Sequence, residues 1–165
     1  MVALLTVLIA SSASAKDPCS KIKPHTDSFG VTTRGMLQYV GIGGYLAVSL
    51  VDKDGTVELL TMYVMPGSID EVVPKGTPGQ IALADGTVVT LVTSADAAPV
   101  TNANTAANIF TQWQLPYVVD AKTLATLSTS PISAVKSTIL NQDVSFEIPE
   151  KKGARLQTAA GCLAP

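Results

Sequence analysis

Residues 75–93 read KGTPGQIALADGTVVTLVT, two apolar, β-branched runs on either side of Asp85-Gly86. An acid-glycine pair suits a type I′ turn, because both central residues of that turn take positive φ. A two-residue loop there sets Leu83 opposite Val88, Ala82 opposite Val89 and Ile81 opposite Thr90. Side chains alternate across a strand, so this register puts Ile81, Leu83, Val88 and Val92 on one face. Val89 and Leu91 fall on the other, among small or polar residues. The reading is of a central antiparallel hairpin around which the rest of the chain is arranged.

A second hairpin precedes it. With Asp54-Gly55 as the loop, Lys53 pairs with Thr56 and Leu50 with Leu59. Leu46, Val48, Leu50, Val57, Leu59 and Tyr63 then share a buried face, while Ser49, Lys53, Thr56 and Glu58 face water. The Asp-Gly-Thr triplet recurs at Asp85, but its flanks differ, so two similar turns explain it better than an internal repeat. Residues 29–39 form a candidate first strand, in which Gly30 and Gly35 permit a bulge or bend, and residues 41–44 break it.

Residues 66–79 link the two hairpins. Beyond the central one, residues 94–108 (SADAAPVTNANTAAN) show no periodicity and read as a mobile loop. Residues 109–119 return to strand composition and contain Trp113, the only tryptophan. Asp120 is placed to cap a short helix, and Ser130-Pro131 to end it. Residues 132–139 and 144–148 read as a final strand pair. Pro149-Glu150 opens a last helix with proline at its first position, whose Leu156, Ala159, Ala160 and Leu163 can lie against the sheet. The fold class expected is α+β, mainly antiparallel sheet in a sandwich or strongly curved sheet, with a short helix near 121–128 and a C-terminal helix near 150–162.

Composition narrows the function classes. Of 165 residues only 15% are charged, and the formal net charge is −2, too near neutral for electrostatic binding to nucleic acid or anionic lipid. Residues 2–10 are an apolar run and Ala13-Ser14-Ala15 offers a small-x-small cleavage pattern, so residues 1–15 read as a signal peptide and 16–165 as one globular domain. The run is shorter than a membrane span needs, although no Lys or Arg precedes Lys16, as a signal peptide would ordinarily require. No later stretch is long and apolar enough to span a membrane. Periplasmic or secreted localisation follows. Export permits a disulfide, and the two cysteines, Cys19 and Cys162, lie near the ends of the mature chain, where a bond would clasp them together. Two free thiols are the alternative. Lys16-Asp17-Pro18 lacks the small apolar residues of a lipidation site.

Catalytic signatures are missing from the sequence. A serine nucleophile needs a base within reach, and the one histidine, His25, sits in a polar arm with no Gly-x-Ser-x-Gly motif in the chain. One histidine and two cysteines expected to be joined in a disulfide do not make a zinc site. Asp52-x-Asp54-Gly55 resembles the opening of a calcium loop, but Tyr63 stands where the bidentate acid belongs. Asp70-Glu71 would point to opposite faces of a strand. Gly41-x-Gly43-Gly44 is followed by a strand-like run, with no Gly-Lys-Ser/Thr to mark a phosphate loop. No cofactor is implied.

The chain combines an export signal, an Asp-Pro-Cys-Ser-x-Ile start at Asp17, Asp27-x-Phe29, a Lys-Gly-Thr entering an Asp-Gly hairpin, a late short helix, and a C-terminal helix ending in Cys162. Together these resemble small exported bacterial proteins of uncharacterised function. The resemblance implies a mixed sheet-and-helix domain and no catalytic residues. A non-enzymatic domain that binds a protein, peptide or small apolar ligand is therefore favoured over a small cell-envelope hydrolase with a site of scattered polar residues. Tyr39, Tyr45, Tyr63, Trp113 and Tyr117 could line a groove, though core packing accounts for most of them. Binding is expected at the 94–108 loop, through Asn102 and Asn104, with Trp113 and Tyr117 beside it. Trp113 acts as an anchor only if it is exposed; facing inward, it is core.

Overall fold

The computed structural model describes residues 17–39, 46–103 and 109–164. The expected leader at 1–15, the glycines at 41–44, Tyr45 and Asn104 lie outside these residues. A 3-10 turn, Pro18–Lys21, is followed by β1 (His25–Thr26), β2 (Thr32–Tyr39), β3 (Leu46–Lys53), β4 (Thr56–Pro66), β5 (Pro78–Leu83), β6 (Val88–Val92), β7 (Val100–Ala103) and β8 (Ile109–Val118). Helix α1 (Ala121–Leu127), β9 (Ile132–Ile139), β10 (Gln142–Glu147) and α2 (Glu150–Leu163) complete the order. The strands make two antiparallel sheets, β1-β2-β3-β4-β8-β7 and β10-β9-β5-β6, the larger curled into a half-barrel. The α+β class follows directly.

The two Asp-Gly turns are not twins. At the first, Asp54 (φ 49°) and Gly55 (φ 85°) are both left-handed, and Lys53 pairs with Thr56 and Leu50 with Leu59, as the sequence predicts. At the second, only Gly86 (φ 89°) is left-handed. Gly86 N donates to Leu83 O, and Leu83 N donates to Thr87 O at 2.8 Å, so the loop holds three residues, Ala84-Asp85-Gly86. Ala84 N is taken by the carbonyl of Pro131 at 2.8 Å, which draws β5 onward beside β9. The register therefore corrects by one: Ala82 faces Val88 and Ile81 faces Val89. A one-residue slip turns every side chain of a strand over. Leu91 is buried with Ile81 and Leu83, while Val88 and Val92 are 56% and 57% exposed, the reverse of the expectation for β6.

Elsewhere the hydrophobic pattern and the observed burial agree. Leu46, Val48, Leu50, Leu59 and Tyr63 bury the inner face of β3 and β4, and Trp113, Leu115 and Tyr117 continue it on β8. Ile132, Val135, Ser137 and Ile139 face them from β9, brought into phase by an irregularity that leaves Ser133 out of the ladder register, its Oγ donating to Ala82 O at 3.1 Å. Asp120 caps α1, its Oδ1 accepting from Thr123 N at 2.7 Å. Leu156, Ala159, Ala160 and Leu163 bury one side of α2. Helix α2 lies so close to β9 that a Cβ on Gly153 would stand 2.1 Å from the carbonyl oxygen of Ile132. The helix begins at Glu150, within the expected bounds, and Pro149 is its cap residue rather than its first helical position.

Within the stretch expected as a loop, Ala97 and residues 100–103 are held in backbone pairing, and 104–108 lie outside the described residues. Val73 and Ala97 exchange both hydrogen bonds, Asp96 Oδ1 accepts from Lys75 N at 2.7 Å, and β7 pairs with β8. All four side chains of β7 are exposed. An edge strand with no buried side carries no alternation for a sequence reading to detect.

Candidate functional site

The residues expected to bind are not gathered in one place. Trp113 is 0% exposed and its Nε1 donates to the carbonyl of Glu71 at 2.9 Å; Tyr117 is 1% exposed. Both belong to the core. Asn102 is exposed on β7, its side chain donating to Val100 O at 3.3 Å. Asp70 and Glu71 are exposed in the linker between β4 and β5, and line none of the cavities described below. Asp52 and Asp54 spend their carboxylates on the first hairpin: Asp52 accepts from Arg34 Nε and Gly55 N, both at 2.8 Å, and Asp54 from Thr32 N at 3.1 Å. Among the described residues, no cluster of histidine, cysteine, aspartate and glutamate could hold a metal ion.

Between the sheets lies a buried hydroxyl cluster. Tyr63 OH donates to Ser137 Oγ at 2.8 Å, and Tyr117 OH shares a 2.9 Å hydrogen bond with the same oxygen. Gly79 makes room for it, since a Cβ there would stand 2.7 Å from the Tyr117 hydroxyl. Thr61 Oγ1, buried on the same face, has no hydrogen-bond partner among the described residues. Burial pushes Tyr63 up to about 12, against the opposing pull of the Ser137 hydrogen bond, and raises Tyr117 too. The cluster is sealed, which makes it a device of stability. Above pH 10 an unfolded Tyr63 releases the proton that the folded chain keeps until about 12. Stability is therefore whole below pH 10 and falls as pH rises, by up to about 1.4 kcal/mol per unit from this residue. Urea titrations from pH 9 to 11.5 check this: Tyr63→Phe should show a shallower alkaline loss, and a slope equal to wild type would refute the assignment.

The opposite face of the six-stranded sheet carries a groove. Alternation along β3 sends Leu46, Val48 and Leu50 into the core and Ala47, Ser49 and Val51 outward. Leu60 and Met62 of β4 and Gln114 of β8 point the same way, through the pairings Ser49–Leu60, Ala47–Met62 and Met62–Gln114. These side chains floor a groove of about 480 Å³. Lys23 and His25, on the arm that enters β1, form one rim; Thr33 and Gly35 of β2 lie between rim and floor. Gly35 is obligatory, because a Cβ would stand 2.3 Å from Leu50 O and 2.9 Å from Val51 Cα. The close approach of β2 to β3 leaves the groove unobstructed at that point. Arg34 and Met36 border it as well, but alternation turns their side chains to the other face, where Arg34 binds Asp52.

Ala47 and Ser49 are buried at the groove floor, and Val51, Leu60 and Met62 are half-buried. Ser49 and His25 line the same cavity, yet no hydrogen bond joins them. The disulfide Cys19–Cys162, with a Cα–Cα distance of 5.6 Å, anchors the arm to the last turn of α2. The sequence reading placed His25 in a polar arm and Ser49 on a wet face; what it lacked was the β1–β2 pairing that folds the arm over that face. A second groove, of about 340 Å³, lies between the 3-10 turn, β2 and α2, and a smaller one of about 210 Å³ beside the Lys136–Asp143 ion pair. Comparison with family models, with curated proteins and with solved structures gave no match for this chain. No helix among the described residues is long and apolar enough to cross a membrane.

Proposed function

We propose that this is an exported, periplasmic or secreted, non-enzymatic binding domain whose ligand lies in the groove across β2, β3, β4 and β8. The observation that supports it is the groove itself: concave, of a size typical of ligand sites, with an apolar floor and a few polar groups converging on it. The disulfide suits an oxidising compartment. A fragment screen read by backbone amide shifts tests the reading. Shifts should cluster on Ser49, Leu60 and Met62 and vanish in Met62→Trp, which fills the groove from a half-buried, outward position. Hits that map to β7, or that survive Met62→Trp, would refute it.

One observation favours a hydrolase instead, the shared lining of His25 and Ser49. Among the described residues no acid lines the groove to orient the imidazole and the pair is not hydrogen-bonded, so the relay that activates serine is not formed by them. Turnover of p-nitrophenyl esters, abolished in both His25→Ala and Ser49→Ala, would establish the enzyme and displace the binding reading.

A further inference from the structure

The structure assigns the groove a ligand class: a small amphiphile with an anionic head and an unbranched apolar tail, of the kind represented by a medium-chain carboxylate. This rests on the groove being the binding site and adds what it selects. The argument begins with charge. The chain has more acids than bases, 13 against 11, yet the ionisable residues bordering this groove are Lys23, His25 and Arg34, with no aspartate or glutamate among them. Arg34 is occupied by Asp52, which leaves the Lys23 ammonium and the His25 imidazole free to meet a ligand. Neither makes a side-chain hydrogen bond or ion pair with a described residue. On the same face Lys53 stands opposite Thr33, on the cationic side, and Glu58 stands opposite Val51, outside the lining.

Polarity along the groove is one-directional. Lys23 and His25 sit at the β1 end, where His25 pairs with Thr33. Moving across the sheet, Val51, Leu60, Ala47 and Met62 present hydrocarbon, and Gln114 closes the far end on β8. Strand spacing makes the distance from β1 to β8 roughly 19 Å, four inter-strand steps. A head held at the β1 end therefore leaves its tail lying over the hydrocarbon of β3 and β4. Ser49 interrupts the floor with a hydroxyl that has no protein partner among the described residues, a point where a ligand oxygen or a water could bind. Neutral ligands would gain the floor but not the rim, and cationic amphiphiles would meet repulsion there.

Calorimetric titration with decanoate, decanol and decyltrimethylammonium, each below its aggregation concentration and at low salt, separates the contributions. Decanoate should bind about tenfold more tightly than decanol, with the cation weakest. K23M/H25Q should bring decanoate to the level of decanol and leave decanol unchanged, while Met62→Trp should weaken both. Raising the salt concentration should narrow the decanoate advantage, because the Lys23 ammonium on the rim is exposed. Equal binding of decanoate and decanol, both lost in Met62→Trp, would overturn the anionic head and leave the groove standing. Fragment hits in the groove with no binding of any of the three amphiphiles would overturn the ligand class. Decanoate binding untouched by both variants would overturn the ligand class and the site together.

Discussion

Trp113→Ala is expected to cost about 3–5 kcal/mol of stability, a large share of what a domain of this size possesses. Trp113 is fully buried on β8, directly opposite Tyr63 of β4, at the centre of the larger sheet's inner face. Truncation removes its packing and leaves a cavity that two paired strands cannot close. It also strands the carbonyl of Glu71, which accepts the indole N–H and ties the 67–77 linker to the sheet. An unpaired carbonyl adds about 1–3 kcal/mol where it stays shielded from water, and little where the linker can move out to solvent. Trp113→Phe separates the two contributions, keeping most of the apolar volume and losing the donor. Urea denaturation measures both. A loss below 1 kcal/mol for the alanine variant, with ligand binding abolished, would mean that Trp113 is a binding anchor and that its buried placement is mistaken.

The contrast between Trp113 and the groove shows what kind of information the sequence carries. Apolar alternation in β3, β4 and β8 specifies which face is buried, because transfer of those side chains from water dominates the choice. The first Asp-Gly turn was legible for the same reason: a two-residue loop and the alternation on both flanks agree. At the second they compete. Val88-Val89-Thr90-Leu91-Val92 is apolar on both faces, so neither register was excluded by pattern, and the choice fell to the Pro131 carbonyl that captures Ala84 N from a distant part of the chain. Asn141 and Leu140 make a further left-handed turn between β9 and β10 without any glycine to announce it. The groove was invisible for a different reason. Its floor is the outer face of strands read only for what they bury, and its rim comes from an arm whose position depends on two backbone pairs and one disulfide. Local patterns do not report which distant segments meet. That is why a lone histidine looked isolated.

Removal of the disulfide should therefore reach further than global stability. Cys19 and Cys162 are 143 residues apart, and closing a loop of that length stabilises by roughly 5 kcal/mol on the chain-entropy model, with a usual measured range of about 2–5. The arm has little else to hold it. The 3-10 turn buries none of its residues, Ile22 is its one core contact, and β1 contributes two residues to the ladder. C19S/C162S, which leaves no stray thiol, should lower the urea midpoint and release the arm first. Amide exchange should rise over residues 17–26 while β3, β4 and β8 keep their protection, since local opening takes the segment with the fewest buried contacts. Lys23 and His25 then leave the rim, and decanoate should bind this variant no better than decanol, with decanol affinity retained by the intact floor. If exchange rises uniformly across both sheets, the bond clasps the whole fold and not the arm alone. If the midpoint does not move, the clasp contributes nothing, and the arm is held by contacts stronger than those seen at Ile22 and β1.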